Sequence, residues 1–150
     1  AERGVEKIYC ADIDAQRLAR ATAFGATPVG EQLPTHLDAV FEVAGVSALV
    51  PSGIIALRPG GHYLFVGMVH PDTQLALTGE QVIRKCLTIR GVHNYSPRHL
   101  DEALSFLVRT IDRYPYSSLV SDPLPLAELD RAFALAETRQ HFRVAIDPRL

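Results

Sequence analysis

Short apolar segments alternate with helical segments through residues 7–92, and this alternation constrains the fold more than any other feature of the chain. The predicted strands cover residues 7–12, 37–43, 62–66 and 87–92. The predicted helices between them cover residues 14–24, 46–57 and 79–86. Strands joined by helices pair in parallel through right-handed crossovers, because each helix has to pack back onto the same sheet. The sequence therefore predicts an α/β fold.

The pattern changes in the last third of the chain, where longer amphipathic segments replace the alternation. Helices are predicted at residues 97–112 and 126–138, and a closing strand at residues 142–146. These elements do not continue a βαβ pattern, so we expect them to pack on another part of the protein. We therefore divide the chain into residues 1–94 and 95–150.

Composition and charge restrict the classes of partner. The 150 residues carry a net charge of −2, with a pI near 6.3, so they offer no basic field for nucleic acid or for an anionic membrane. No apolar run approaches the roughly 20 residues that span a bilayer, and we expect a cytoplasmic protein. Cys10 and Cys86 are predicted to be small buried residues and not a disulfide.

The first predicted strand ends on a carboxylate, Asp12, and runs directly into a helix. An acid in this position accepts hydrogen bonds from the hydroxyls of an adenosine ribose and disfavours a 2′-phosphate. Ile13 follows where a basic residue would favour NADP, so the pattern favours NAD. A Gly-rich phosphate turn does not precede the strand, and residues 1–4 read as the last turn of a helix closed by glycine. We expect the chain to begin inside a fold.

The histidines show no metal-binding pattern. They are scattered, without an HxxxH or CxxC pairing, at His36, His62, His70, His93, His99 and His141. We expect ordinary surface or core positions for them, and no metal site in this chain.

Five segments occur in an order that resembles one family. They read KIYCADIDAQRLARATAFGA, LDAVFEVAG, LRPGGHYLFVGMV, LTIRGVHNY and HFRVAIDP. Together they resemble the C-terminal part of the medium-chain, zinc-type alcohol dehydrogenases, including the sorbitol and threonine dehydrogenase relatives. The resemblance implies that residues 1–94 form an incomplete Rossmann-type, doubly wound parallel sheet that lacks its first strand. It also implies that residues 95–150 return to the catalytic domain, and that zinc belongs to the missing N-terminal domain.

The resemblance assigns the adenosine end of NAD to the residues that follow the first two predicted strands. Asp12 would hold the ribose, with Arg17 beside it one turn into the next helix. Val43 and Ala44 would pass the adenine. Glu42, immediately before them, is expected to have a structural partner and no catalytic role.

The nicotinamide end of NAD is assigned to the residues that follow the last two strands, Val66, Gly67, Met68, Val92, His93 and Asn94. Glycine at position 67 would permit close approach of a ligand. His93 is the histidine that the resemblance brings nearest to a substrate. Arg143 would reach back to the pyrophosphate, a task that suits a guanidinium group. No residue of the chain is assigned a catalytic role.

The leading interpretation is the NAD-binding part of a zinc-dependent alcohol or polyol dehydrogenase, which transfers hydride between an alcohol or carbonyl carbon of a small molecule and NAD. The chain alone is expected to be inactive. One alternative is an S-adenosylmethionine-dependent methyltransferase. Enzymes of that class also place an acid after their second strand, and LRPGG often precedes another of their strands. A second alternative is a non-catalytic dimerisation module. Pairing of edge strand 87–92 across a two-fold axis would support that module, and it also predicts a homo-oligomer of the dehydrogenase.

Overall fold

The computed structural model describes residues 2–150, which form two compact units. One unit comprises the described residues up to Thr22 together with Ala26–Ser96, and the other comprises Ala23–Gly25 and Pro97–Leu150. In the first unit, strands and helices alternate as β1 (Tyr9–Cys10), α1 (Ala15–Arg20), β2 (Thr27–Pro28), β3 (Leu37–Glu42), α2 (Val50–Ala56), β4 (Leu57–Phe65), α3 (Gly79–Lys85) and β5 (Thr88–Gly91). The predicted α/β class is confirmed.

The strands of the first unit form two separate parallel sheets. One contains β1 and β2, and the other has the order β3–β4–β5. Within the described residues, β1 and β3 are not paired with each other, and β5 lies at an edge as the sequence predicts. Parallel pairing also carries the carboxyl ends of β3, β4 and β5 to the same edge of their sheet.

Helix α1 begins just after Asp14, in agreement with the predicted helix over residues 14–24. Asp14 caps the helix, because its Oδ1 atom accepts the backbone N–H groups of Gln16 (2.9 Å) and Arg17 (3.0 Å). The hydrogen bond from Arg17 is the main reason that the pKa of Asp14 lies below its ordinary value. The helix tightens to a 3-10 turn over Ala21–Phe24, and Gly25 follows with a φ of 81°.

The core of the first unit lies between α2 and the three-stranded sheet. Val50, Ile54, Leu57 and Tyr63 are buried together, and partly buried side chains from all three strands pack around them. Gly53 lets α2 approach the sheet, since a Cβ atom there would lie 2.7 Å from Cε2 of Tyr63. This packing fixes the sheet whose strand ends carry most of the candidate site.

The second unit contains α4 (Pro97–Thr110), β6 (Leu124–Pro125), α5 (Leu129–Glu137) and β7 (Ile146–Asp147). Strands β6 and β7 pair in parallel. The hydroxyl of Thr110 lies 2.7 Å from that of Tyr116 and ties the end of α4 to the following segment. Across residues 2–150, no helix combines the length and the apolar character that crossing a membrane requires.

Several predicted bounds differ from the structure. The first strand is confined to Tyr9–Cys10, and the predicted strand at 142–146 is replaced by β7, with only an isolated bridge from Arg143 to Val120. Strand β4 begins at Leu57, earlier than the predicted strand at 62–66, and its register with β3 shifts between Leu37 and Ala39. Glu2–Gly4 form a turn and bend with a positive φ at Gly4, whereas residue 1 of the predicted helix end lies outside the described part.

Candidate functional site

The candidate site is built on the shared edge where β3, β4 and β5 end. Glu42 pairs with Phe65 and Phe65 pairs with Gly91, so the segments that follow these residues leave the sheet side by side. The backbone N–H of Val92 donates to the oxygen of Phe65 at 2.9 Å and extends the register by one residue. The structure thus brings together three of the segments selected from the sequence, residues 43–44, 66–68 and 92–94. Ligands in open α/β sheets bind outside this end of the strands.

Glu42 organises the first of these segments. Only 4% of its surface is exposed, and its Oε1 atom accepts the backbone N–H groups of Ala44 (2.9 Å), Gly45 (2.7 Å) and Val46 (3.4 Å). Glu42 therefore has the structural partner that was expected for it, and that partner is the turn that follows its own strand.

The ends of β3 and β4 are in direct backbone contact. Gly45 has a φ of 73°, and a Cβ atom on it would lie 2.6 Å from the carbonyl oxygen of Gly67. A Cβ atom on Gly67 would lie 2.5 Å from the nitrogen of Gly45. From the sequence alone, Gly67 is explained by the close approach of a ligand. In the structure a glycine is required there because the backbone of Gly45 lies against it. Gly45 is not among the residues that the sequence selects as candidates, although a glycine just after a strand indicates a close backbone approach.

Asp12 and Arg17 form an ion pair after β1. Nη2 of Arg17 donates to Oδ1 of Asp12 at 2.9 Å, and the backbone N–H of Asp14 donates to the same oxygen at 2.8 Å. Among residues 2–150 the other oxygen of Asp12, Oδ2, accepts no hydrogen bond. The Nε atom of Arg17 is buried without a hydrogen-bond partner among these residues, and it lies 3.8 Å from Oδ2 of Asp14. The carboxylate is thus oriented, with one oxygen available.

The apolar candidates at the sheet edge face solvent. Val43 is 68% exposed, and Val66 and Val92 are also exposed. Met68 is the exception, because it packs partly against the core. Exposed valines beside backbone groups at strand ends offer a surface on which a flat, partly apolar ligand can rest.

The last two residues of the β5 segment contact each other. Nδ2 of Asn94 lies 3.0 Å from Nε2 of His93, and Asn94 has a φ of 54°. Asparagine tolerates this left-handed conformation better than most residues do. The contact fixes the two side chains relative to each other at the end of the strand.

Arg143 lies in the second unit. Its backbone is held on both sides, by the oxygen of Leu119 (3.1 Å) and by the N–H of Ser121 (3.0 Å). Its Nη1 atom donates to the carbonyl oxygen of Phe142 at 2.7 Å. The residue is exposed, so the guanidinium group is accessible from solvent.

The described residues contain no metal-binding cluster, and a further cavity among them is a groove on the three-stranded sheet. Residues 2–150 contain no group of three or more His, Cys, Asp or Glu side chains that could hold a metal ion. An open groove of about 380 Å³ lies on the three-stranded sheet, lined by Ala39, His62, Tyr63, Leu64, Thr88 and Arg90. This groove contains none of the candidate residues, so the strand ends are the better candidate.

The comparisons with known proteins agree with one another. A family model described as zinc-binding dehydrogenase matches residues 2–109. The D-altritol 5-dehydrogenase of Agrobacterium fabrum (strain C58) is 29% identical over 133 residues, which cover 85% of this chain and 39% of that protein. The 5-exo-hydroxycamphor dehydrogenase of Pseudomonas putida is 24% identical over 111 residues, covering 74% of this chain and 31% of that protein.

Solved structures show the same relationship. An alcohol dehydrogenase from Thermus sp. ATN1 superposes with a TM-score of 0.81 at 27% identity, over 96% of this chain and 45% of that one. The L-idonate 5-dehydrogenase of Escherichia coli K-12 superposes with a TM-score of 0.80 at 24% identity, over 94% of this chain and 42% of that one. The chain spans less than half the length of these relatives.

Proposed function

We propose, from the premise that this chain belongs to the zinc-binding dehydrogenase family, that it forms the NAD-binding part of an alcohol or polyol dehydrogenase. In the complete gene product, hydride would pass between the carbon of a small alcohol or carbonyl substrate and NAD. The relatives reported above are all named as dehydrogenases, which argues against the methyltransferase alternative. Residues 1–94 would carry the cofactor surface, and residues 95–150 would belong to the catalytic domain.

The observation that carries the proposal is the carboxylate after β1. Asp12 is held by Arg17 and by the backbone N–H of Asp14 through Oδ1, which leaves Oδ2 to accept a ribose hydroxyl. A second negative group would be repelled there, so a 2′-phosphate is disfavoured. Ile13, which follows Asp12, is uncharged and 96% exposed, so this position supplies no cation for such a phosphate, and Arg17 is paired with Asp12 itself. NAD is therefore the proposed cofactor.

The other candidate residues divide the rest of the cofactor among them. Val43 and Ala44 would cover the adenine, and Arg143 would pair with the pyrophosphate. The residues proposed for the nicotinamide and its carboxamide are Val66, Gly67, Met68, Val92, His93 and Asn94. Strands β3, β4 and β5 end side by side, which supports assigning the residues that directly follow them to one ligand. NAD, when bound, supplies the hydride acceptor, while the residues of this chain bind and orient it.

The zinc of the family has no set of ligands in residues 2–150. Its ligands are proposed to lie in the part of the relatives that this chain does not match.

The test is a calorimetric titration of the complete gene product with NAD, NADP and S-adenosylmethionine. Asp12→Ala is expected to weaken NAD binding by about tenfold or more, because hydrogen bonds to a charged group are lost. The same change releases Arg17, so affinity for NADP is expected to rise relative to NAD. Asp38→Ala is the matched control, since Asp38 is an exposed acid paired with Arg58 at 2.7 Å, at the opposite end of β3.

Binding of S-adenosylmethionine alone by the complete protein would overturn the proposed function. Equal NAD affinity in the wild type and in Asp12→Ala would remove Asp12 from the proposed site. D-altritol is a suitable first substrate for turnover, since it is in the name of a relative that matches most of this chain.

Assembly and location are also proposals. The outer side of β5 is unpaired within the described residues, so two copies can pair there across a two-fold axis. We propose such a homo-oligomer, and a cytoplasmic protein on the basis of composition. A strict monomer in sedimentation of the complete gene product would contradict pairing through β5.

A further inference from the structure

Glu42 is buried, and no residue among 2–150 forms an ion pair with it. Only 4% of its surface is exposed, and its Oε2 atom has no hydrogen-bond partner among residues 2–150. Burying a carboxylate is costly unless hydrogen bonds offset the loss of water. The compensation here comes entirely from backbone N–H groups on its other oxygen.

Glu42 accepts N–H groups from both segments that carry the proposed cofactor contacts, through its side chain from residues 44–46 and through its backbone oxygen from residues 66–67. The side-chain Oε1 atom and the backbone oxygen of Glu42 together accept the N–H groups of Ala44, Gly45, Val46, Val66 and Gly67. The last two donate to the backbone oxygen at 2.9 and 3.0 Å. One residue therefore connects the end of β3 with the end of β4.

The connection is also sterically tight. A Cβ atom on Gly45 would lie 2.6 Å from the oxygen of Gly67, so the two segments cannot separate or slide without losing this fit. The turn that Oε1 holds makes both the hydrogen bonds and the backbone contact. Val43 and Ala44 are presented to solvent from that turn.

We propose that Glu42 is a positioning residue for the cofactor: its Oε1 atom holds residues 44–46 in the turn that places Gly45 against Gly67, so that both segments meet NAD in one arrangement. The inference rests on the proposed function. It assigns to Glu42 no contact with NAD, and it attributes the effect to Oε1 and not to the negative charge.

The experiment measures NADH binding to the complete gene product by the change in nicotinamide fluorescence, which gives both the Kd and the number of sites per chain. Glu42→Ala is expected to raise the Kd by about tenfold or more with the number of sites unchanged, because the hydrogen bonds to Oε1 that order the turn are lost. Glu42→Gln keeps an oxygen acceptor and is expected to stay within about threefold of the wild type. Asp38→Ala is the control that should not differ.

If Glu42→Ala fails to fold, Gly45→Ala tests the same junction with the carboxylate intact. Its Cβ atom cannot be accommodated beside Gly67, so it is also expected to raise the Kd by about tenfold with the number of sites unchanged.

Three outcomes would overturn the inference. The first is a Kd within about threefold of the wild type for both Glu42→Ala and Gly45→Ala. The second is a loss of sites per chain at unchanged Kd, which indicates a role in folding alone. The third is Glu42→Gln binding as weakly as Glu42→Ala, because the charge would then carry the effect. Absence of NADH binding by the wild type would instead refute the proposed function itself, and this inference with it.

Discussion

Burial changes the ionisation of single residues in the core. Tyr63 is 1% exposed, and this burial, with a further contribution from the negative charge of Glu42, raises the pKa of Tyr63 to about 12. The unfolded chain loses the same proton near pH 10. Between these values the folded state holds a proton that the unfolded state has released, so stability is retained below about pH 10 and falls as the pH rises towards 12.

Tyr63→Phe should therefore flatten the alkaline loss of stability. We compare the unfolding free energies of the complete wild type and of Tyr63→Phe from pH 9 to the highest accessible pH. As the pH rises, the variant is expected to become more stable relative to the wild type. Denaturant titration at several pH values measures this. Tyr95→Phe is the control, because the side chain of Tyr95 is 70% exposed. A pH-independent difference for Tyr63→Phe would contradict the assigned cause.

The roles of the residues selected from the sequence stay predictions, although their places relative to the strands can be compared with the structure. Asp12 follows β1 as the pattern indicates, because a strand end is a local feature. Gly67 was selected for contact with a ligand, yet its immediate constraint is the nitrogen of Gly45. A sequence pattern shows that space is needed at a position, and it does not show which group occupies that space.

Between elements, a lysine joins α3 to the end of α2. Nζ of Lys85 donates to the oxygens of Ile54 (2.9 Å), Ile55 (2.8 Å) and Leu57 (2.7 Å). The last carbonyl groups of a helix lack intrahelical partners and carry partial negative charge, so a cation there satisfies both needs. Helix α3 is in turn started by a capping box between Thr78 and Gln81.

Lys85→Met should destabilise the complete protein by about 1.5–3 kcal/mol, because hydrogen bonds from a charged donor are lost while the apolar stem is kept. The free energy of unfolding from urea titration measures this loss. Arg84→Met is the control on the same helix, since Arg84 is exposed and its pairing with Glu80 is worth at most about 0.5 kcal/mol. Equal effects of the two changes would show that the carbonyl contacts of Lys85 contribute nothing specific.

Long elements with local signals were predicted, and very short ones were not. Helix α4 begins at Pro97 as the sequence indicated. Strands β2 and β6 each contain two residues, and one of the two is a proline, which has no backbone hydrogen-bond donor. Two residues are too few for an alternating apolar pattern that would predict a strand. These strands exist because a neighbouring strand, β1 or β7, supplies their pairing.

The whole chain exposes more surface than its size requires. Its accessible surface is 11252 Å², whereas two separate compact bodies of the sizes of its units would expose about 9,000 Å² together. Exposed apolar side chains contribute to the excess surface. They include Phe41 in β3, Val43 just after β3, and Val108 in α4. Such surfaces usually lie against another part of a protein or a partner.

The isolated 150-residue chain is therefore expected to be poorly stable or to aggregate, since unpaired strand edges and apolar faces invite association. It is also expected to show no alcohol oxidation. Calorimetry, light scattering and an assay with NAD, zinc and D-altritol test these expectations together. A soluble monomer with a cooperative thermal transition would contradict the first, and zinc-dependent turnover would contradict the second.

The amino-acid sequence by itself determined the alternation of elements, the caps at Asp14 and Gly25, and the carboxylate at the end of β1, because these depend on neighbours a few residues away. It also carried the family relationship. Only the tertiary structure decided that β4 places Gly67 on Gly45 and that Glu42 accepts N–H groups from both strand ends. The contacts between the two strand ends join residues more than twenty positions apart, and they arise from strand register and packing that local patterns do not encode.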